Sequence, residues 1–269
     1  LAKPVTAMVT LILVSQDKWK LDEPISNYWI DPDLENDPNL PKLTTRPLLS
    51  HKSGFPNWRY LNDSGKLDFK FEPGTQYQYS GEGMEYLRRA LENKFHKSLN
   101  ELATDLLFEP LAMNDTEYVW NSSIDENRFA PGYDTNGKPY PTVKNKIANG
   151  ADDLLTTIED YSKFLVSVMN QDQLSREVFE DMTSHQTAST KGKHFGLGLE
   201  IYDFEDGSYA LSHGGADKGA QTIFFLFPET GNGLLIFTNV DDGYKVYEKL
   251  LIHYLGKKGK EIMKIETSK

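Results

Sequence analysis

The sequence predicts an α/β fold of α+β character: an antiparallel sheet flanked by helices and joined to a mainly helical region. Three observations carry this reading. Apolar residues recur at helical spacing through the first half, short apolar runs separated by turn residues come after Phe195, and a last helical stripe closes the pattern.

Taken in order, Val5, Met8, Val9, Ile12 and Leu13 repeat every three to four residues. Pro4 is compatible with a helix only in its first turn, so a buried helix begins near Leu1. The apolar run from Val5 to Val14 is too short to be the roughly 20 residues of a membrane span. Residues 21–60, rich in Pro, Asn and Asp, read as loops around a short helix near Thr45–Ser50. Glu82–Phe95 and Leu99–Phe108 carry two helical patterns, the second closed by Pro110. The stretch from Asn121 to Asn149 is polar, with turn signals at Pro131-Gly132 and Asn136-Gly137. Thr157 and Asp160 then form a helix-start box, and Ile158, Tyr161, Phe164, Leu165 and Val168 line one face of the helix it opens. Strands are predicted at Phe195–Tyr202, Ser208–Ser212, Ala220–Phe227 and Leu234–Thr238, joined by Glu205-Asp206-Gly207 and Pro228–Gly233 turns. The closing helix, Tyr244–Leu255, places Tyr247, Leu250, Leu251 and Tyr254 on one stripe.

Composition excludes several function classes. The 269 residues carry a formal net charge of −11, which argues against nucleic acid and anionic membranes as partners. Without cysteine there is no disulfide framework, zinc ribbon or thiol nucleophile. Histidines at 51, 96, 185, 194, 213 and 253 show no metal-ligand spacing, so no metal is expected. No Gly-rich phosphate loop or dinucleotide fingerprint occurs, so no nucleotide cofactor is expected, and the Gly-x-Ser-x-Gly nucleophile elbow is absent.

Three separated segments have unusual chemistry. Lys3 stands in the first turn of an apolar helix, and by itself reads as an ordinary helix-end lysine. Phe71–Gly81 leads from a Pro-Gly turn through Tyr79 and Ser80 to a helix start, where Tyr79 alone reads as a packed loop aromatic. In Leu211-Ser212-His213-Gly214-Gly215-Ala216 a strand ends in two glycines that permit close approach to the backbone, or simply a hairpin bend.

Together these segments resemble the serine β-lactamase and penicillin-binding-protein-like hydrolases, in the branch of class C β-lactamases, family VIII esterases, D-aminopeptidases and DD-carboxypeptidases. Lys20–Ile25 is similar to the family's turn after the nucleophile helix, and Leu48–Pro56 to its Leu-Leu-Thr-His-Thr-Ser-Gly-Leu-Pro signature. Phe108–Thr116 resembles its Pro-Leu-Gly-Met-x-x-Thr stretch, and Gly196–Leu199 the start of its sheet segment. The ordered set runs from Leu1 to about Thr238 and implies a β-lactamase/transpeptidase-like fold. It divides the chain into a nucleophile helix over 1–20, a helical and loop region over 21–154 carrying the tyrosine motif, and a sheet region over 155–269 carrying His-Gly-Gly.

The resemblance implies a serine acyl hydrolase of esterase or D-amino-acid peptidase type, acting on a small ester, amide or β-lactam. The alternatives it carries are a β-lactamase or DD-carboxypeptidase, and a non-hydrolytic sensor or scaffold that binds penicillins or peptidoglycan. The family's nucleophile lies in Ser-x-x-Lys, so Leu1-Ala2-Lys3 is expected to come directly after the catalytic serine, with the first sheet strands earlier still. On that expectation residues 1–269 alone neither fold nor hydrolyse well, and the protein is periplasmic or secreted. The literal match Ser15–Lys18 lies at the polar end of the helix and reads as a solvent-facing exit.

By the same resemblance Lys3 is the base, Tyr79 relays protons, and His213 stands at the Lys position of Lys-Thr-Gly. Gly214, Gly215 and Ala216 come next, the N–H of Ala216 serving the oxyanion hole, and Gly81 takes the place of the asparagine in Tyr-x-Asn. That glycine removes an amide that contacts an acylamino side chain, and His213 removes a fixed cation that holds a carboxylate. The apolar side chains around Phe55, Trp58, Tyr77 and Trp120 either line an acyl pocket or belong to the core: Tyr77 reads as core, Trp58 and Trp120 stay open as loop residues that face the cleft, and His51 and Ser53 read as structural.

Overall fold

Helix α1 (Ala2–Ser15) is buried along most of its length in the computed structural model, which describes residues 1–268. A helix apolar around its circumference belongs in a core, and Val5, Val9 and Leu11 are fully enclosed. Pro4 falls in the first turn, where the helix has no use for its missing N–H. The polar exceptions fix the helix's rotation. Thr6 donates to the Gly150 carbonyl at 2.8 Å and meets the Tyr118 hydroxyl at 2.8 Å, while Thr10 bonds back to the Thr6 carbonyl.

Helices α2 (Thr45–Leu49), α3 (Gly81–Phe95) and α4 (Leu99–Ala103) form the helical region, the last running on through a π-turn at Thr104–Phe108. Ser80 caps α3 by accepting from the Gly83 N–H, and Ser98 and Glu101 cap α4 reciprocally. Helix α5 (Ile158–Asn170) is capped by Thr157, but the Asp160 carboxylate turns to the Asp115 N–H and the Thr116 hydroxyl, so the box is one-sided. Tyr161, Phe164, Leu165 and Val168 are buried, whereas Ile158, at the first helical position, is exposed.

After α6 (Arg176–Met182) come β1 (Thr187–Thr190), β2 (Lys193–Phe195), β3 (Glu200–Asp203), β4 (Tyr209–Asp217), β5 (Ala220–Phe227) and β6 (Asn232–Thr238), a six-stranded antiparallel meander in chain order. Helices α7 (Tyr247–Leu255) and α8 (Lys257–Thr267) complete the chain's described elements. Strand β5 shows how the layers divide. Phe224 and Leu226 join the core around α1, and the alternate Phe225 and Phe227 join a second cluster with Leu251 of α7 and Ile262 of α8. Of the predicted α7 stripe, Leu251 is buried and Tyr254 exposed.

The sheet corrects the expected strands in two places. Phe195–Tyr202 is two strands, because Gly196 to Leu199 form a turn with Gly198 at φ +85°. Strand β4 does not stop at Ser212; it continues through the glycines to Asp217, since β5 pairs it from Leu211↔Leu226 to Asp217↔Ala220. Strand β1 is Thr-Ala-Ser-Thr, without the apolar alternation that marks a strand.

A Cβ on Gly198 would lie 2.2 Å from the Cβ of Ala7, at a backbone conformation that already disfavours a side chain. Gly198→Ala is therefore expected to lower stability by about 3 kcal/mol, read from the chemical denaturation midpoint. An unchanged midpoint would show that α1 shifts freely against this turn.

Candidate active site

A cavity of about 1350 Å³ opens at the amino end of α1, and Lys3, Tyr79, His213, Gly214, Gly215 and Ala216 all line it. The three segments distant in sequence thus meet. The Lys3 amine donates to the Ala151 carbonyl at 2.9 Å and stands 5.2 Å from the Tyr79 ring centre. Burial pushes the Lys3 amine below the usual lysine range, opposed by the Asp152 charge. The Tyr79 hydroxyl is pushed above the phenol range by burial first and then by the charges of Glu200, Tyr77 and Asp152. Of the two, the lysine is the group that gives up its proton, and the tyrosine keeps its own.

Local bonds hold these groups in place. The Tyr161 hydroxyl donates to the Leu1 carbonyl and the Tyr118 hydroxyl to the Ala2 carbonyl, both at 3.1 Å, anchoring the start of α1. His51 supports the tyrosine segment: its ring lies 4.2 Å from the Tyr79 ring, its Nδ1 accepts the Ser80 N–H, and its carbonyl accepts the Gln78 N–H. Burial, with the Lys3 charge second, pushes the His51 imidazole down to about 3, so it stays neutral and acts as a positioning residue. Ser53 accepts the Phe55 N–H in the adjoining turn. Phe195 packs against His51, Tyr77 and Tyr79, and Phe55 lies in the core.

Strand β4 forms one wall. Its last pair with β3 is Ser212↔Glu200, so from His213 to Asp217 it is paired with β5 alone. The other edge of that segment, including Ala216, borders the cavity. A Cβ on Gly215 would stand 2.5 Å from the Thr222 hydroxyl and 2.8 Å from the Leu1 nitrogen, so glycine is what lets β4 approach α1; Gly214 is under no such constraint. His213 is buried, and its Nδ1 faces the Gly214 carbonyl. Burial, with the Lys3 charge second, holds its imidazole well below the ordinary range, leaving it neutral.

Gly81 is set back beneath an indole. A Cβ there would lie 2.6 Å from Cζ2 of Trp58, and it is Trp58, not Gly81, that lines the cavity. The loop is stitched down on both sides of that tryptophan. The Asn57 side chain accepts the Gly81 N–H, its carbonyl accepts the Glu82 N–H, and Arg59 pairs with Glu82 and with fully buried Asp31. Trp120 also lines the cavity, whereas Ser15 accepts the Ser175 N–H at the far end of α1 and Lys18 is exposed.

The cavity also has an acidic wall that no motif in the sequence announces. Asp152, Asp153 and Asp217 line the same cavity, with acceptor atoms within 4.8 Å of one another. Burial, then the charges of Asp152 and Asp217, pushes the Asp153 carboxyl up to about 6, and burial, then Asp217, raises that of Asp152. The doublet Asp152-Asp153 is visible in the sequence; that Asp217 joins it is not.

A central helix bearing a desolvated lysine, a neutral tyrosine over it and a half-paired strand alongside define a protein of β-lactamase/transpeptidase fold. The family model described as Beta-lactamase matches residues 1–256, and the chain belongs to that family. It is 24% identical over 258 residues to a probable fimbrial assembly protein FimD, serogroup H1, of Dichelobacter nodosus, covering 87% of this chain and 64% of that protein's length. Its fold is similar to a D-stereospecific amidohydrolase from Streptomyces sp. (TM-score 0.76, 20% identity, 89% of this chain and 80% of that one). It is likewise similar to a penicillin binding protein from Bacillus halodurans (TM-score 0.80, 19% identity, 94% and 83%).

Proposed function

We propose that the protein is a serine acyl hydrolase that cleaves amides or esters whose acyl part carries an amine, through an acyl-serine intermediate. The observation that carries this is the meeting of Lys3, Tyr79 and the free edge of β4 around one cavity with an acidic wall. The nucleophile in this reading is the serine that the family pattern places directly before Leu1. The closeness of Gly215 to the start of α1, where a Cβ would stand 2.8 Å from the Leu1 nitrogen, supports this reading.

Neutral Lys3 takes the serine proton as the oxygen attacks the substrate carbonyl carbon. The carbonyl π pair moves to oxygen, held by the N–H groups of Ala216 and of the serine. Collapse expels the amine or alcohol, which receives its proton from Lys3 through the Tyr79 hydroxyl. Water then attacks the acyl-serine, its proton returns to the serine oxygen by the same route, and the acid leaves.

Two features select the substrate. Neutral His213 offers no cation for a carboxylate, which disfavours β-lactams and DD-peptides, and the aspartates favour an ammonium group. The likeness to a D-stereospecific amidohydrolase makes D-amino-acid amides the first compounds to try. The family resemblance also carries an exported location, periplasmic or secreted, which cell fractionation tests.

The whole protein is expected to turn over D-amino-acid amides at least about tenfold faster than their N-acetylated forms, and Asp152→Asn to remove about tenfold of that preference through KM. No turnover of amino-acid amides or of p-nitrophenyl acyl esters overturns the reading. Equal rates on free and acetylated amines overturn the role of the aspartates.

A further inference from the structure

A second cluster lies outside the cavity. His194 is on β2 and Asp203 at the end of β3, diagonal neighbours on one face because His194 pairs with Ile201, two residues before Asp203. His185 comes from the connection between α6 and β1. The two imidazoles lie parallel, with centroids 3.9 Å apart and planes 4° apart. Each Nε2 stands 3.2 Å from a different oxygen of the Asp203 carboxylate. Three segments thus bring two ring nitrogens and a carboxylate to one point, with ligand atoms within 4.8 Å of one another.

We propose that His185, His194 and Asp203 form a binding site for a first-row divalent transition ion, with zinc the ion on which to test it. Two imidazoles and a carboxylate are a donor set suited to zinc, cobalt, nickel or copper, whereas calcium and magnesium take oxygen ligands. Metal–ligand bonds of about 2.0–2.2 Å require the stacked rings to tilt toward the ion. The side chains of His185 and His194 are 47% and 24% exposed, which leaves them room to do so. Water completes the coordination from the exposed side. A bound ion joins the segment before β1 to β2 and β3, next to Phe195, on which His51, Tyr77 and Tyr79 rest. Occupancy therefore stiffens the support beneath Tyr79 without placing metal in the cavity.

Calorimetric titration of the whole protein with zinc is expected to show one ion per chain and a raised thermal midpoint. Cobalt in its place should give the visible absorption of nitrogen and oxygen coordination. His185→Ala, on a half-exposed side chain, and Asp203→Asn are each expected to weaken zinc at least about tenfold, whereas Asp152→Asn in the cavity leaves it unchanged. The proposal is overturned if the wild-type protein takes up no zinc at about 100 μM. It is also overturned if uptake survives both substitutions, or is lost in Asp152→Asn instead.

Discussion

Replacing Lys3 with methionine is expected to lower kcat/KM by about three orders of magnitude, with the thermal midpoint held or raised. The methionine fills the same half-buried space without a desolvated charge, so packing survives while the base is lost. Lys3→Arg should not rescue activity, because a guanidinium does not deprotonate at working pH. The pH dependence has a definite sign. With the amine pushed below its usual range, the rate rises with pH and levels off once Lys3 is neutral. The Tyr79 hydroxyl, pushed the other way, keeps its proton through that range. Between the lowered pKa and the unfolded value of 10.5 the folded chain holds fewer protons than the unfolded one, so stability rises with pH through that window, and Lys3→Met removes the rise. An active arginine variant or a flat rate profile would sink Lys3 as the base.

Gly81→Asn is expected to cost about 2–3 kcal/mol, and Trp58→Ala in the same chain to recover most of it. Asparagine cannot be added here alone, since its Cβ would sit 2.6 Å from Cζ2 and 2.9 Å from Cη2 of an indole held by the bonds of Asn57 and Arg59. The indole and the missing amide are two sides of one exchange. In the single variant the displaced indole disturbs the wall of the cavity that Trp58 lines, and activity falls at least about tenfold. In the double variant the amide regains access, and the preference shifts from free-amine toward N-acylated substrates. Denaturation midpoints of both single variants and the double form a cycle; strictly additive effects would show that Trp58 does not exclude a side chain at 81.

Much of the fold was legible because its signals are local. Pro4 and the apolar repeat after it mark α1, and the unbroken apolar run Ile223–Phe227 marks the strand between two cores. Lys3, Tyr79 and Gly214–Ala216, each ordinary when taken alone, were legible as site residues only through the ordered set of motifs that resembles the family. Strand β1 and the turn at Gly196–Leu199 were not, because the first has no apolar face and the second depends on where Ala7 lies.

The sequence by itself determined the class of fold and the helix that carries Lys3, set by periodicity and turn chemistry along the chain, and the family resemblance of its ordered motifs implied that Lys3, Tyr79 and His213–Ala216 share one site. Only the tertiary structure decided that Trp58 occupies the space over Gly81, that Asp217 joins Asp152 and Asp153, that His51 braces Tyr79, and that His185 and His194 meet at Asp203. Each of these is a distance between residues far apart in the chain. Such distances arise from how helices and strands pack, and no local pattern encodes them.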